Sequence, residues 1–396
     1  MSGAWDTGGA ASRRRGRHAG AVAGRTAGVL IAATLLCGCA TSSLDRARGR
    51  FYAGQAVAAE QELADIPPGN TDRVLYLMER GTAAQAAGRY EASIRDWLEA
   101  ADTAEDLDYL SVSRGSASLV VNDRVLAFRG EPYERTLLHT FAAQSFLALG
   151  RWEDAAVEAR RIARRLEALD GFPDDAFSHY VAGFCFEAQD DLEAAAIEYG
   201  RAARLLPAVP LDPATGRFAA GATNAAPPAA GQAELVCCVL IGRSASGDEF
   251  WNANLRWGLQ PYAEVYAGNR LLGRSYTLTS VQRLIDLTRR KRAAMQTAKT
   301  VSRIAVKETL AHAVSRQDSA LGDVTRLLLF ALETPDERRW ETLPLHLGVL
   351  RAPCPEEATE LRVVFRGAGG RVVEEQTLRA PLSRRGRLRW TMCRAL

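Results

Sequence analysis

Few residues in this 396-residue chain have the types and spacing that chemistry requires. Glu131, Tyr133, Glu134, Arg135 and His139 crowd into a short stretch behind Pro132. They read either as a polar partner-binding site on a concave face or as a buried ion pair fixing a neighbouring insertion. Arg292, Lys299, Arg303 and Lys307 fall along one face of a helix, because three or four residues make one turn. They lie opposite Ile285, Met295, Ala298, Val301 and Ala305. That stripe reads as a solvated face or as an anion-binding site for lipid headgroups, a glycan or an acidic partner. Cys354 and Cys393 flank the terminal strands and could form a disulfide in an oxidising compartment; the alternative is two free thiols. Cys237 and Cys238 are adjacent on a strand and must point to opposite faces.

The search for catalytic machinery returns little. Gly367–Gly370 joins two strands and opens no helix, so it is no dinucleotide loop. Gly242-Arg243-Ser244-Ala245-Ser246 lacks the second glycine of a nucleophile elbow. His139, His179, His312 and His346 are scattered, with no zinc-binding spacing. The expectation is a non-catalytic protein without cofactor or metal. A nucleic-acid partner is not expected either, because 50 basic residues sit against 47 acidic ones.

The elements that position these residues begin with a leader. Arg13, Arg14, Arg15, Arg17 and Arg25 precede an uncharged run from Thr26 to Gly38, which is shorter than the ~20 residues a membrane span needs. Leu36-Cys37-Gly38-Cys39 closes it and resembles the lipobox of bacterial lipoproteins. The resemblance implies cleavage before Cys39, acylation of its thiol and amine, and a chain tethered to a membrane. Ala40 follows, which by the same resemblance implies the outer membrane, facing the periplasm.

Repeats come next, over residues 72–207. Gly49-Arg50-Phe51, Gly88-Arg89-Tyr90, Gly150-Arg151-Trp152 and Asp190-Asp191-Leu192 each open an alanine-rich helical pattern. Small residues at Gly81, Ala143 and Gly183 fall where paired helices would cross. These features resemble tetratricopeptide (TPR) repeats, with residues 39–71 as tether and half-repeat cap and 108–135 as an insertion. Arg73–Tyr76, Glu79–Gly81, Glu131–Arg135 with His139, and Trp340–Pro344 together resemble an uncharacterised family of TPR-containing bacterial lipoproteins. The resemblance implies no activity.

Residues 208–232 are rich in Pro, Ala and Gly and read as a linker. Beyond it, Leu235–Ile241 is a continuous apolar run, as in a strand buried on both faces. Strands are also predicted at Ala263–Leu272, Leu343–Leu350, Leu361–Arg366, Arg371–Leu378 and Arg387–Met392, with a helical insertion at 279–332. The expected fold is α+β: an all-α TPR-like solenoid, then an antiparallel, sandwich-like β domain over 233–396.

Charge separates along the same boundary. Residues 72–207 carry nine more acids than bases, and residues 231–396 nine more bases than acids. The two halves are therefore expected to dock on each other until a charged partner competes. The function that fits is a lipid-anchored envelope scaffold docking a protein or peptide. Its rival is a hydrolase or glycan-binding protein with a pocket beside Trp251, Trp257 and Tyr262.

Overall fold

The computed structural model describes residues 43–65, 71–113, 127–219, 228–229, 232–244, 254–295, 336, 338–379 and 382–396. The leader with Leu36, Cys37, Gly38 and Cys39 lies outside the described residues, as do Trp251, Lys299, Arg303 and Lys307.

The helical half is a series of antiparallel pairs. Helix α1 spans residues 43–52 and precedes α2 (Ala56–Glu62). The pairs α3 (Arg73–Ala86) and α4 (Tyr90–Ser113), α5 (Pro132–Ala148) and α6 (Trp152–Glu167), and α7 (Ala176–Glu187) and α8 (Leu192–Leu205) follow. Each pair turns on a residue with positive φ: Gly88 at 75°, Gly150 at 71° and Asp190 at 61°. That left-handed conformation is the usual helix stop, and asparagine or aspartate is the tolerable substitute for glycine. Gly54 does the same between α1 and α2, at φ 76°. The first signature was therefore misplaced by five residues: Gly49 is inside α1, and the cap is a complete helix pair.

Close packing inside the pairs depends on absent side chains. A Cβ on Gly81 would lie 2.5 Å from Trp97 Nε1, and one on Gly183 would lie 2.8 Å from Tyr199 Cδ1. The large ring on the second helix fills the space the glycine leaves on the first.

The β half is two stacked sheets. One has the order β4 (Tyr276–Ser280), β5 (His346–Pro355), β1 (Gln232–Ile241), β9 (Leu388–Ala395), β8 (Ser383–Arg385). The other runs β3 (Arg270–Arg274), β2 (Tyr262–Ala267), β6 (Glu360–Arg366), β7 (Val372–Arg379). Helix α9 (residues 281–295) follows β4. The expectation of an antiparallel domain fails at one place: β1 and β9 pair in parallel. Strand β4 also takes residues expected to be helical.

Strand β1 explains how the halves fit. Leu235, Cys237, Val239 and Ile241 face the second sheet, whereas Val236, Cys238 and Leu240 face the helices. The five-stranded sheet is thus buried on both faces, and its apolar run needs no alternation. One core joins Trp97, Phe141, Tyr180 and Phe184 of the helices to Val236, Leu347, Val349 and Trp390 of the sheet. Ion pairs cross this contact, Arg351 with Glu187 inside it and Arg338 with Asp72, Arg385 with Glu153 and Arg292 with Glu131 towards its rim. Each takes its acid from the helical half and its base from the other.

The expected linker is partly structure. Phe218 is fully buried, stacked on Tyr276 at 4.6 Å and on Tyr180 at 6.1 Å. Leu211 bridges to Phe218, so residues 208–219 close the end of the helical array rather than span a gap.

Candidate functional site

The inner helices α3 and α5 grip a segment of the chain's own β half. Glu79 Oε1 accepts the backbone N–H of Glu341 at 2.9 Å, and Oε2 that of Thr342 at 3.2 Å. Glu134 Oε1 accepts the backbone N–H of Trp340 at 2.7 Å. Arg48 from α1 donates to Glu79 Oε1 at 2.8 Å and to the Arg339 carbonyl at 3.0 Å. The Trp340 indole donates to Thr82 Oγ1 at 2.9 Å and packs against Trp97 and Phe141. A segment that turns at Glu341 and Thr342 is therefore held through its main chain by two carboxylates. Glu79, Glu134 and Trp340, far apart in sequence, meet at one point.

This placement corrects the partner-binding expectation for residues 131–139. Tyr133, Glu134 and His139 are buried. The Glu131 backbone N–H donates to Glu134 Oε2 at 2.7 Å, closing the first turn of α5, and the Glu131 carboxylate pairs with Arg292 at 2.9 Å. Arg135 pairs with Asp108. Among the described residues the segment around Trp340 occupies this position, and they leave no open polar groove there. Burial pushes the Glu134 carboxyl up to about 7, although the N–H groups of Glu131 and Trp340 pull the other way.

His139 and His179 occupy repeated settings. His139 Nδ1 lies 2.8 Å from Glu158 Oε2, and Arg161 donates to Glu158 Oε1 at 2.8 Å. Forty residues on, His179 Nδ1 lies 2.5 Å from Glu198 Oε2, and Arg201 donates to Glu198 Oε1 at 2.8 Å. His179 alone of the two has a second carboxylate, Asp174, 3.0 Å from Nε2. Burial would lower the His179 pKa, but hydrogen bonds to Asp174 and Glu198 override it and raise it to about 9. A cavity of about 270 Å³ opens beside His179, Asp174 and Arg201.

Arg351 is the centre that sequence reasoning missed. It is fully buried. Its guanidinium donates to Glu187 Oε1 at 2.6 Å, Glu234 Oε1 at 2.8 Å and the Thr215 carbonyl at 2.9 Å. Burial would raise the Glu234 pKa, yet hydrogen bonds from Arg351 and Arg217 bring it down to about 2. The available signal was a lone arginine inside an otherwise apolar strand, which needs partners to be buried.

The cysteine bridge does not form. Cys354 and Cys393 are both free and buried. Cys354 stands opposite Ala233 of β1, and Cys393 opposite Val239. Six residues of strand separate them by ~20 Å, whereas a disulfide needs Cα atoms within ~7 Å. Cys393 instead lies 3.9 Å from the Cys237 sulfur. Cys237 and Cys238 do point to opposite faces.

Trp257 is likewise no binding platform: it is fully buried between the sheets, edge-on to Phe365. Among the described residues no group of His, Cys, Asp and Glu is arranged to hold a metal, and no helix is long and apolar enough to cross a membrane.

A larger cavity, about 500 Å³, lies where α1, α3, β7 and β9 meet, with Tyr52, Leu378 and Arg394 on its walls.

The chain matches no family model, no curated protein and no solved structure.

Proposed function

We propose that this chain is a lipid-anchored scaffold of the cell envelope, tethered through Cys39 to the outer membrane and facing the periplasm. Its helix pairs are TPR-like units, and it belongs with the TPR-containing lipoproteins it resembles. The anchor rests on Leu36-Cys37-Gly38-Cys39 behind a basic leader. The scaffold role rests on one observation: carboxylates of α3 and α5 hold a non-helical segment by its backbone N–H groups. That is the chemistry of peptide docking, here used within the chain. A protein or peptide partner then meets the outward helices, where Leu192, Ile197 and Leu205 are exposed on α8. Anchoring raises the local concentration of such a partner.

Because helices and sheets share one core, deleting the helices would unfold everything, so the tests are single substitutions. Cys39→Ser should abolish palmitate labelling and release the protein from membranes; persistent labelling would refute the anchor. Ile197→Arg should abolish crosslinking to envelope partners while leaving the circular dichroism unchanged. Undiminished crosslinking would refute docking on α8.

A further inference from the structure

The cavity of about 500 Å³ at the junction of helices and sheets falls within the size range of small-molecule sites. Its walls are mixed: Phe51 at the end of α1, Leu240 on β1, Leu378 on β7 and Met392 on β9 give an apolar part, and Gln85, Gln376 and Arg394 a polar one. Its one cation is the guanidinium of Arg394, and the Glu374 carboxylate also lines it. Three other arginines of the fold are set differently. Arg48, Arg217 and Arg351 each meet a buried carboxylate.

Arg394 meets none among the described residues. Its Nη2 donates to the Thr342 carbonyl, its plane lies over the Phe51 ring at 4.7 Å, and its Nε is buried without a hydrogen-bond partner. Burial pulls its pKa down to about 10. Arg394 is only partly buried as a residue, but its Nε is buried without an acceptor, and an anion seated beside it would supply one. The strand around it is held in place: Gln376 Nε2 donates to the Arg394 carbonyl at 2.5 Å and to Glu374 Oε1 at 2.6 Å.

We propose that this cavity binds a monocarboxylate with an apolar body, its carboxylate on the Arg394 guanidinium and its body against Phe51, Leu378 and Met392. The forked, planar donors of arginine match a planar carboxylate. A dianion such as a phosphate monoester is disfavoured, because the site offers one positive charge and Glu374 also lines the cavity. The proposal is independent of the scaffold role and of where a protein partner docks.

The test uses the full chain and a photoreactive diazirine decanoate, with labelled residues mapped by mass spectrometry. Labelling should fall on peptides holding Phe51, Leu378 or Met392 and be displaced by decanoate. The diazirine decanol analogue should label at least about tenfold less, the factor expected from one charge-assisted hydrogen bond. Arg394→Gln should remove that preference. Ala56→Trp, which narrows the cavity without touching Arg394, should suppress labelling in a chain of unchanged circular dichroism, and it keeps the test decisive if Arg394→Gln does not fold. Equal labelling by acid and alcohol, a preference that survives in Arg394→Gln, or labelling undiminished in Ala56→Trp would each overturn the proposal. Absence of label from the cavity would do so as well. Decyl phosphate displacing the probe better than decanoate would overturn the carboxylate assignment.

Discussion

Glu134 holds the backbone N–H of Trp340 at 2.7 Å across 206 residues of sequence. That one bond ties the start of α5 to the segment entering β5. It does so with a carboxyl whose pKa burial has raised to about 7 from an ordinary 4.5.

The sign of its pH dependence follows. A carboxyl raised in the folded state contributes stability fully present below pH 4.5 and lost as pH rises through 7. Urea denaturation should show Glu134→Gln flattening the stability profile across that window, by up to roughly 3 kcal/mol. His179 acts in the next window. Its pKa, raised to about 9 from 6.5, gives stability present below pH 6.5 and lost towards pH 9. His179→Gln should flatten only that part of the profile, and an unchanged slope would refute the Asp174–His179–Glu198 assignment.

Arg351→Met should cost about 3–5 kcal/mol in chemical denaturation, since it strands Glu187 without its cation and leaves Glu234 with Arg217 alone. A loss below ~1 kcal/mol, typical of exposed pairs, would show that the cluster is hydrated rather than buried.

Two glycines on helices should respond in opposite directions. Gly81→Ala drives a methyl into Trp97 and should destabilise by ~1–3 kcal/mol. Gly200→Ala meets nothing closer than 3.9 Å and should stabilise by up to ~1 kcal/mol through helix propensity. Thermal melts of the pair read both effects at once.

Compactness should be insensitive to salt. Opposite net charges of the halves suggest docking by attraction, but the contact is an apolar core with ion pairs at its rim. Raising salt to ~1 M shortens screening to ~3 Å and should leave the radius of gyration in small-angle scattering unchanged. Swelling would show that charge, not burial, holds the halves together.

What was legible in the sequence is what short-range pattern encodes. The turn glycines before Arg89 and Arg151 mark helix pairs because only a left-handed residue ends those helices. The run Leu235–Ile241 marks a doubly covered strand because both its faces are dry. The parallel pairing of β1 with β9 was not legible, since register between strands 150 residues apart leaves no local trace. Nor was the clamp on Trp340: Glu134 reads as part of a concave polar site or of a buried ion pair, and nothing local to Glu79 or Glu134 names the segment they hold. Phe218 and Leu211 were hidden by the Pro and Gly around them, which look the same in a linker and in a fitted turn.

The parallel placement of β9 also bears on how the chain is made. Strand β1 lies between β5 and β9, so the middle of the sheet stays open until residues 388–395 have left the ribosome. The helices, synthesised first, wait with their inner faces wet and with Asp72, Glu131, Glu153 and Glu187 lacking the arginines of the β half. Such a chain gains its stability late and all at once. A nascent form that stays loose is one that can still be threaded through a narrow channel before it closes.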